Sequence, residues 1–149
     1  MTPIRTKRLS VDDRELARRT FLLMAEVFEE EGALLSDHYL DQLLSGRDFW
    51  AFAALLGSDV VGGITAHTLP MTRSETSEVF IYDIAVHVDH QRRGIGTELV
   101  AALRAGTAAV GIHDIFVPAD NDDTHALDFY RRLGGEPSSV TFFTFSESK

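Results

Sequence analysis

Cysteine is absent from the 149 residues. That excludes disulfides, thiolate metal sites and a cysteine acyl-enzyme, and it fits a reducing compartment. No apolar run approaches membrane-spanning length, and the first ten residues carry basic side chains without the apolar block of a signal peptide. A soluble, cytoplasmic protein is expected. Basic residues are the minority: 14 Lys and Arg against 23 Asp and Glu leave a formal charge of -9. Such a surface opposes nonspecific binding to nucleic acid or an anionic membrane and favours cationic partners. Proline is scarce too, at four residues, and neither a linker, a repeat nor a low-complexity segment is found. With 44% hydrophobic residues, a single domain over 1–149 can bury a real core.

Hydrophobic periodicity orders the chain. A short first strand is expected over 4–9, and Ser10 with Asp13 resembles a capping pair opening a helix. That helix carries Leu16, Thr20, Leu23 and Val27 at helical spacing, widened by Phe21, Met24 and Phe28. The run Glu29, Glu30, Glu31 closes it, either as a solvated helix end or as one wall of a site for a polycation. Tyr39, Leu40, Leu43 and Leu44 mark a second helix. Residues 49–56 and 60–69 read as a hairpin around Gly57-Ser58-Asp59, and 71–77 is an exposed loop placed to border a site. The run 79–88 is the most strand-like of all, interrupted by Asp83. A helix is expected from about Thr97 to Val110, a strand over 112–117, a helix carrying Ala126, Phe129, Tyr130 and Leu133, and an aromatic terminal strand over 140–145. This order implies an α/β (α+β) fold, a mixed central sheet with helices on both faces.

Between the 79–88 strand and the next helix lies Gln91-Arg92-Arg93-Gly94-Ile95-Gly96. Glycine here permits close backbone approach, and unpaired amides at a helix start can face an anion. Leu99 stands where a dinucleotide fingerprint wants its third small residue, and no Gly-Lys-Ser/Thr follows, which excludes a nucleoside-triphosphate loop. The remaining pattern, Gln/Arg-x-x-Gly-x-Gly/Ala within strand, loop, helix, strand and a helix bearing Tyr130, resembles the acetyl-coenzyme A loop of the GNAT N-acetyltransferases. Within that family the chain is most similar to the class I aminoglycoside 3-N-acetyltransferases. The similarity rests on Tyr39-Leu40, Val60-Val61-Gly62-Gly63, Leu69-Pro70, Ser77-Glu78, Ile81-Tyr82-Asp83-Ile84-Ala85-Val86, the Gln91 loop, Ala119-Asp120, Asp123 and Tyr130. Asn121 stands where an aromatic residue is usual, and 71–76 differs from the family's loop.

The resemblance implies acetyl-CoA as donor cosubstrate and a cationic amino sugar as acceptor, acetylated on its 3-amino group. A homodimer is expected on the same ground. Amides from Gln91, Arg92, Arg93, Gly94, Ile95 and Gly96, with Thr97, would hold the pyrophosphate. Ile84, Ala85, Val86, Ala119, Asp120, Ala126 and Tyr130 would line the rest of the cofactor path, between strands splaying near Ala85 to His87 and Val117 to Ala119.

Asp83 is the residue expected to act as general base. A carboxylate inside an apolar strand has its pKa raised by desolvation, and it is either a satisfied structural acid or a functional one. Tyr82 alternates to the opposite face, so both reach one acceptor only if the strand is bulged. Tyr130 falls at a core-packing spacing, and the resemblance gives it the role of acid toward the departing thiolate. Asp120, Asp122 and Asp123 form either a capped, solvated turn or, with Asp83 and with Glu78 and Glu30, part of an anionic cleft. The six histidines show no ligand spacing, so no metal is expected. Direct transfer follows, with an amide near Val86 polarising the thioester carbonyl. The alternatives are acetylation of a polyamine or a protein amino terminus, or a non-catalytic acetyl-CoA sensor.

Overall fold

The computed structural model describes residues 3–147, so the outermost two positions at each end of the expected domain lie outside the described residues. The chain clusters into two compact units, one ending at Pro118 and one beginning at Ala119.

The first unit is a five-stranded sheet ordered β1 (Ile4–Arg8), β2 (Phe49–Leu56), β3 (Asp59–Pro70), β4 (Ser77–Val86) and β5 (Asp114–Phe116). Neighbours are antiparallel except the β4–β5 pair, which is parallel. A parallel pair needs a crossover, and α3 (Ile95–Ala109) provides it. α1 (Arg14–Val27) and α2 (Asp37–Ser45) precede the β2–β3 hairpin. Alternation along β2 separates the two faces of the sheet. Ala51 and Ala53 pack with Ala17 of α1 and Leu44 of α2, and Phe49 meets Phe21 edge-on. Trp50 and Phe52 face α3, where a Cβ on Gly106 would lie 3.1 Å from the Trp50 ring.

Gly62 and Gly63 let helices approach both faces at one point of β3. A Cβ on Gly63 would fall 2.6 Å from Thr20 Cγ2 and 2.8 Å from Met24 Sδ, and one on Gly62 would touch Leu99 of α3. The α1 surface that seats there is Ala17, Thr20 and Met24; Thr20 and Met24 belong to the expected stripe, whereas Leu16, Leu23 and Val27 of that stripe are only partly buried and Ala17 is the buried residue outside it. Small residues at the centre allow the backbone closest to the sheet, and the larger ones flank it. Arg14 ties α1 to α2 by a forked bond to Asp41, at 2.8 and 2.6 Å. The expected Ser10–Asp13 pair is present, with Asp13 Oδ2 accepting from the Ser10 amide at 2.9 Å.

Other boundaries differ from expectation. β4 ends at Val86, and Val88 lies in a single 3₁₀ turn. β5 has three residues rather than six. In the second unit, α4 (Thr124–Arg132) forms as expected, but 140–145 is not a strand. Phe142, Phe143 and Phe145 there are 71, 81 and 97% exposed. Aromatic β-propensity is a statement about packing on cross-strand neighbours, and without a paired neighbour it produces no strand. Among the described residues no helix is long and apolar enough to cross a membrane.

Candidate active site

β4 carries the central residues of the first unit. Register runs Thr65 to Asp83 and then Ala66 to Ile81, so Tyr82 is the extra residue of a β-bulge. The bulge removes the alternation that would have separated Tyr82 from Asp83. Asp83 lies opposite Thr65, which lies opposite Ala51 on the α1-facing side. Tyr82 meets His67 edge-on and Phe80 at a tilt, with centroids 5.9 Å away from each, and His67 lies opposite Phe49 on that same side. Tyr82 and Asp83 therefore share one face, Tyr82 largely exposed and Asp83 partly buried.

The Asp83 carboxylate makes no hydrogen bond or ion pair with another described residue. Burial raises its pKa above the ordinary 3.8, and the negative charge of Glu30 raises it further. Glu30 reaches this position through the end of α1. Glu29 adopts a left-handed conformation, φ 57°, and the Glu30 amide bonds back to Ala25 O at 2.9 Å. A structural carboxylate would have a cation or amide donors. Asp83 has a like charge instead, which fits a group kept ready to accept a proton.

Beyond Phe80, β4 loses its β5 neighbour, because pairing stops at Phe80 with Phe116. The sheet opens along residues 81–86. The His87 amide donates to Val61 O on β3 at 2.8 Å. By alternation, the Val86 and Ile84 backbone groups point away from β3, into the opening, while those of Ala85 point to β3. Gln91 Nε2 donates to Val86 O at 3.0 Å, tying the following loop to the strand end.

That loop is wound by two left-handed residues, Arg92 at φ 66° and Gly94 at φ 79°. Gly94 is the N-cap, and α3 starts at Ile95 rather than Thr97. Ile95 is buried and anchors the first turn. The first carbonyl bond of the helix joins Glu98 N–H to Gly94 O, so the amides of Ile95, Gly96 and Thr97 lie in the turn whose donors have no intrahelical acceptor. A Cβ on Gly94 would meet no atom within 4 Å. This is an open, amide-lined cradle at the positive end of a 15-residue helix, and it fits a pyrophosphate. Arg92 and Arg93 are exposed beside it.

Glu78, partly buried, lies opposite Asp114 where β4 and β5 begin to pair. In the second unit, Asp120 Oδ1 accepts from the Asp122 amide and Asp123 Oδ1 caps α4 through the Ala126 amide, each at 3.0 Å. Two of these three aspartates thus hold their own turn. Ala119 precedes that turn, and Tyr130 lies on α4 against Phe129, centroids 5.1 Å apart. Among the described residues no group of three or more His, Asp or Glu is arranged to hold a metal. The sequence groups Glu30 with Asp83 in one anionic cleft, but the two lie far apart along the chain, and that the charge of Glu30 acts on the Asp83 carboxylate is set by the fold rather than by a local pattern.

This combination of an opened β4–β5 pair and an amide cradle at the start of α3 agrees with the family comparison. The acetyltransferase (GNAT) family matches residues 14–135, and the chain belongs to it. It is therefore a GNAT-type N-acetyltransferase, of a family that uses acetyl-CoA. A crystal structure of an aminoglycoside acetyltransferase from an uncultured soil metagenomic sample is 33% identical, with a TM-score of 0.93 over 98% of this chain and 99% of that one. A second soil metagenomic aminoglycoside acetyltransferase, in complex with sisomicin, is also 33% identical, with a TM-score of 0.89 over 97% of both chains. A ribosomal-protein-alanine N-acetyltransferase from Brucella melitensis shares the fold at 18% identity, TM-score 0.74, over 97% of this chain and all of that one. No curated protein matches.

Proposed function

We propose that the protein acetylates the 3-amino group of aminoglycosides of the gentamicin and sisomicin type, using acetyl-CoA, by direct transfer. The observation that carries this reading is Asp83: a partly buried carboxylate without a counter-ion, its pKa raised, on a bulge that turns it and Tyr82 to one face. The 33% identity to two aminoglycoside acetyltransferases, one bound to sisomicin, supports the acceptor class.

Acetyl-CoA supplies the acetyl group as an activated thioester. The cradle of Gly94, Ile95, Gly96 and Thr97 holds its pyrophosphate, and Arg92 and Arg93 add positive charge. Asp83 accepts the proton of the acceptor ammonium, directly or through water. The freed amine forms the new C–N bond as the C–S bond breaks, and the second proton of its nitrogen passes to solvent, which returns one to Tyr130. The Val86 amide, directed away from β3, donates to the carbonyl oxygen as charge grows there. Tyr130 is assigned the protonation of the thiolate on the family resemblance. Asp122, with Asp120 and Asp123, is proposed to attract the cationic acceptor.

The test is thiol release from acetyl-CoA across an aminoglycoside panel including sisomicin. Rapid release, with the product modified at the 3-amino group, is expected. Turnover of polyamines or peptide amino termini alone would replace the acceptor assignment. Tight CoA binding without any turnover would make the protein a sensor.

A further inference from the structure

The face of β4 that presents Asp83 continues beyond it into an aromatic floor. Phe80 of β4 stacks on Phe116 of β5, centroids 5.2 Å apart and planes within 7°. Tyr82 tilts against Phe80 at 5.9 Å. Phe116 is 42% exposed and Tyr82 62%. One step further along the strands, Glu78 and Asp114 stand opposite each other on the same side. Glu78 also borders a cavity of about 270 Å³ with Leu69, Met71 and Arg73. Three aromatic rings in contact through Phe80 on one face, flanked by carboxylates, form a contiguous patch of the kind that marks a ligand site. They are matched to a ligand that offers ring faces and positive charge together.

We infer that Phe80, Phe116 and Tyr82 form the floor of a subsite for a second ring of the amino sugar, and that Glu78 and Asp114 receive its ammonium groups. This rests on the acceptor assignment above. Phe80 lies three residues from Asp83 with the bulge between them, roughly 7–10 Å along the strand at about 3.3 Å per residue. That separation suits a ring one glycosidic linkage removed from the reacting amine. The overall charge of -9 has the sign such a ligand requires. An ammonium over an aromatic face gains from the ring quadrupole, and the neighbouring carboxylates add charge-assisted hydrogen bonds. Asp83 then selects the amine, and the floor selects how many rings are attached to it.

Calorimetric titration of sisomicin into the CoA-bound enzyme tests this, using Phe116→Ala, Phe116→Trp and Asp114→Asn. Phe116 is partly exposed on an edge strand, so the variants should fold, and thermal melts check that they do. Phe116→Ala is expected to weaken sisomicin roughly 3- to 30-fold, with Phe116→Trp restoring the affinity and Asp114→Asn flattening its salt dependence. If wild-type enzyme binds and acetylates sisomicin and Phe116→Ala binds it within twofold of wild type, the subsite is refuted and the acceptor assignment stands. If wild-type enzyme neither binds nor acetylates any aminoglycoside, both are refuted.

Discussion

Replacing Gly94 by alanine isolates the backbone geometry of the cofactor loop. At φ 79° an L-residue suffers the left-handed penalty of about 1–2 kcal/mol. No steric penalty adds to it, since the new Cβ meets no atom within 4 Å. At about 2–4 °C per kcal/mol for a chain of this size, the melting temperature should fall by about 2–8 °C. Arg92, already left-handed at φ 66°, is the complementary case. Arg92→Gly relieves a similar strain but gives back about 0.5–1 kcal/mol of unfolded-state entropy, so its net effect is a gain between about 0 and 1.5 kcal/mol. The assays are thermal unfolding and calorimetric CoA binding. Gly94→Ala should also weaken CoA by about tenfold, or about 1.4 kcal/mol, because its methyl group enters the space above the amides. A fall far beyond 8 °C would show that packing, not backbone strain, governs Gly94. The expected melting shift with unchanged CoA affinity would refute the cradle.

Asp83→Asn should raise stability at neutral pH. The fold raises the Asp83 pKa, so ionising it costs folding energy; that cost is absent below its ordinary value of 3.8 and complete above the raised one. The advantage of Asn over Asp, followed by melts from pH 3 to 8, should therefore vanish in acid. Glu30→Gln removes the smaller of the two causes of the shift. It should move the acid limb of the kcat/KM profile to lower pH without abolishing it, and an unmoved limb would dissociate Glu30 from the base. Gly63→Ala drives a methyl group to within 2.6 Å of Thr20 Cγ2. It should destabilise by about 1–3 kcal/mol, read as a melting temperature lower by about 2–12 °C.

The parts of the fold legible in the sequence are those where local pattern and tertiary demand coincide. The β2–β3 hairpin follows from apolar runs around Gly57, which does adopt φ 63°, and the Ser10–Asp13 capping pair and the Asp123 cap of α4 follow from their own side chains. The misplaced start of α3 has a local cause: Gly94, not Gly96, takes the left-handed N-cap, and two glycines at that spacing cannot be told apart by composition. In α1 the expected Thr20 and Met24 are buried, but the burial of Ala17 reflects its packing on Ala51 and Ala53 of β2, and a distant strand is invisible to helix periodicity. At the site, Asp83 was conspicuous as an acid in an apolar strand. That Tyr82 shares its face depended on a bulge, which is decided by cross-strand register rather than by the strand's own residues. The Glu30 field at Asp83 is likewise a product of folding. The segment 140–145 shows the converse, a strand-forming composition with no strand.

The most direct measurement is initial-rate turnover of sisomicin by Asp83→Asn at saturating acetyl-CoA, beside its CoA affinity. Loss of a general base should lower kcat by about 10²–10⁴-fold, with CoA bound within twofold of wild type. A kcat equal to that of the wild type would contradict the assignment of Asp83 as the base, and with it the direct-transfer reading of the site.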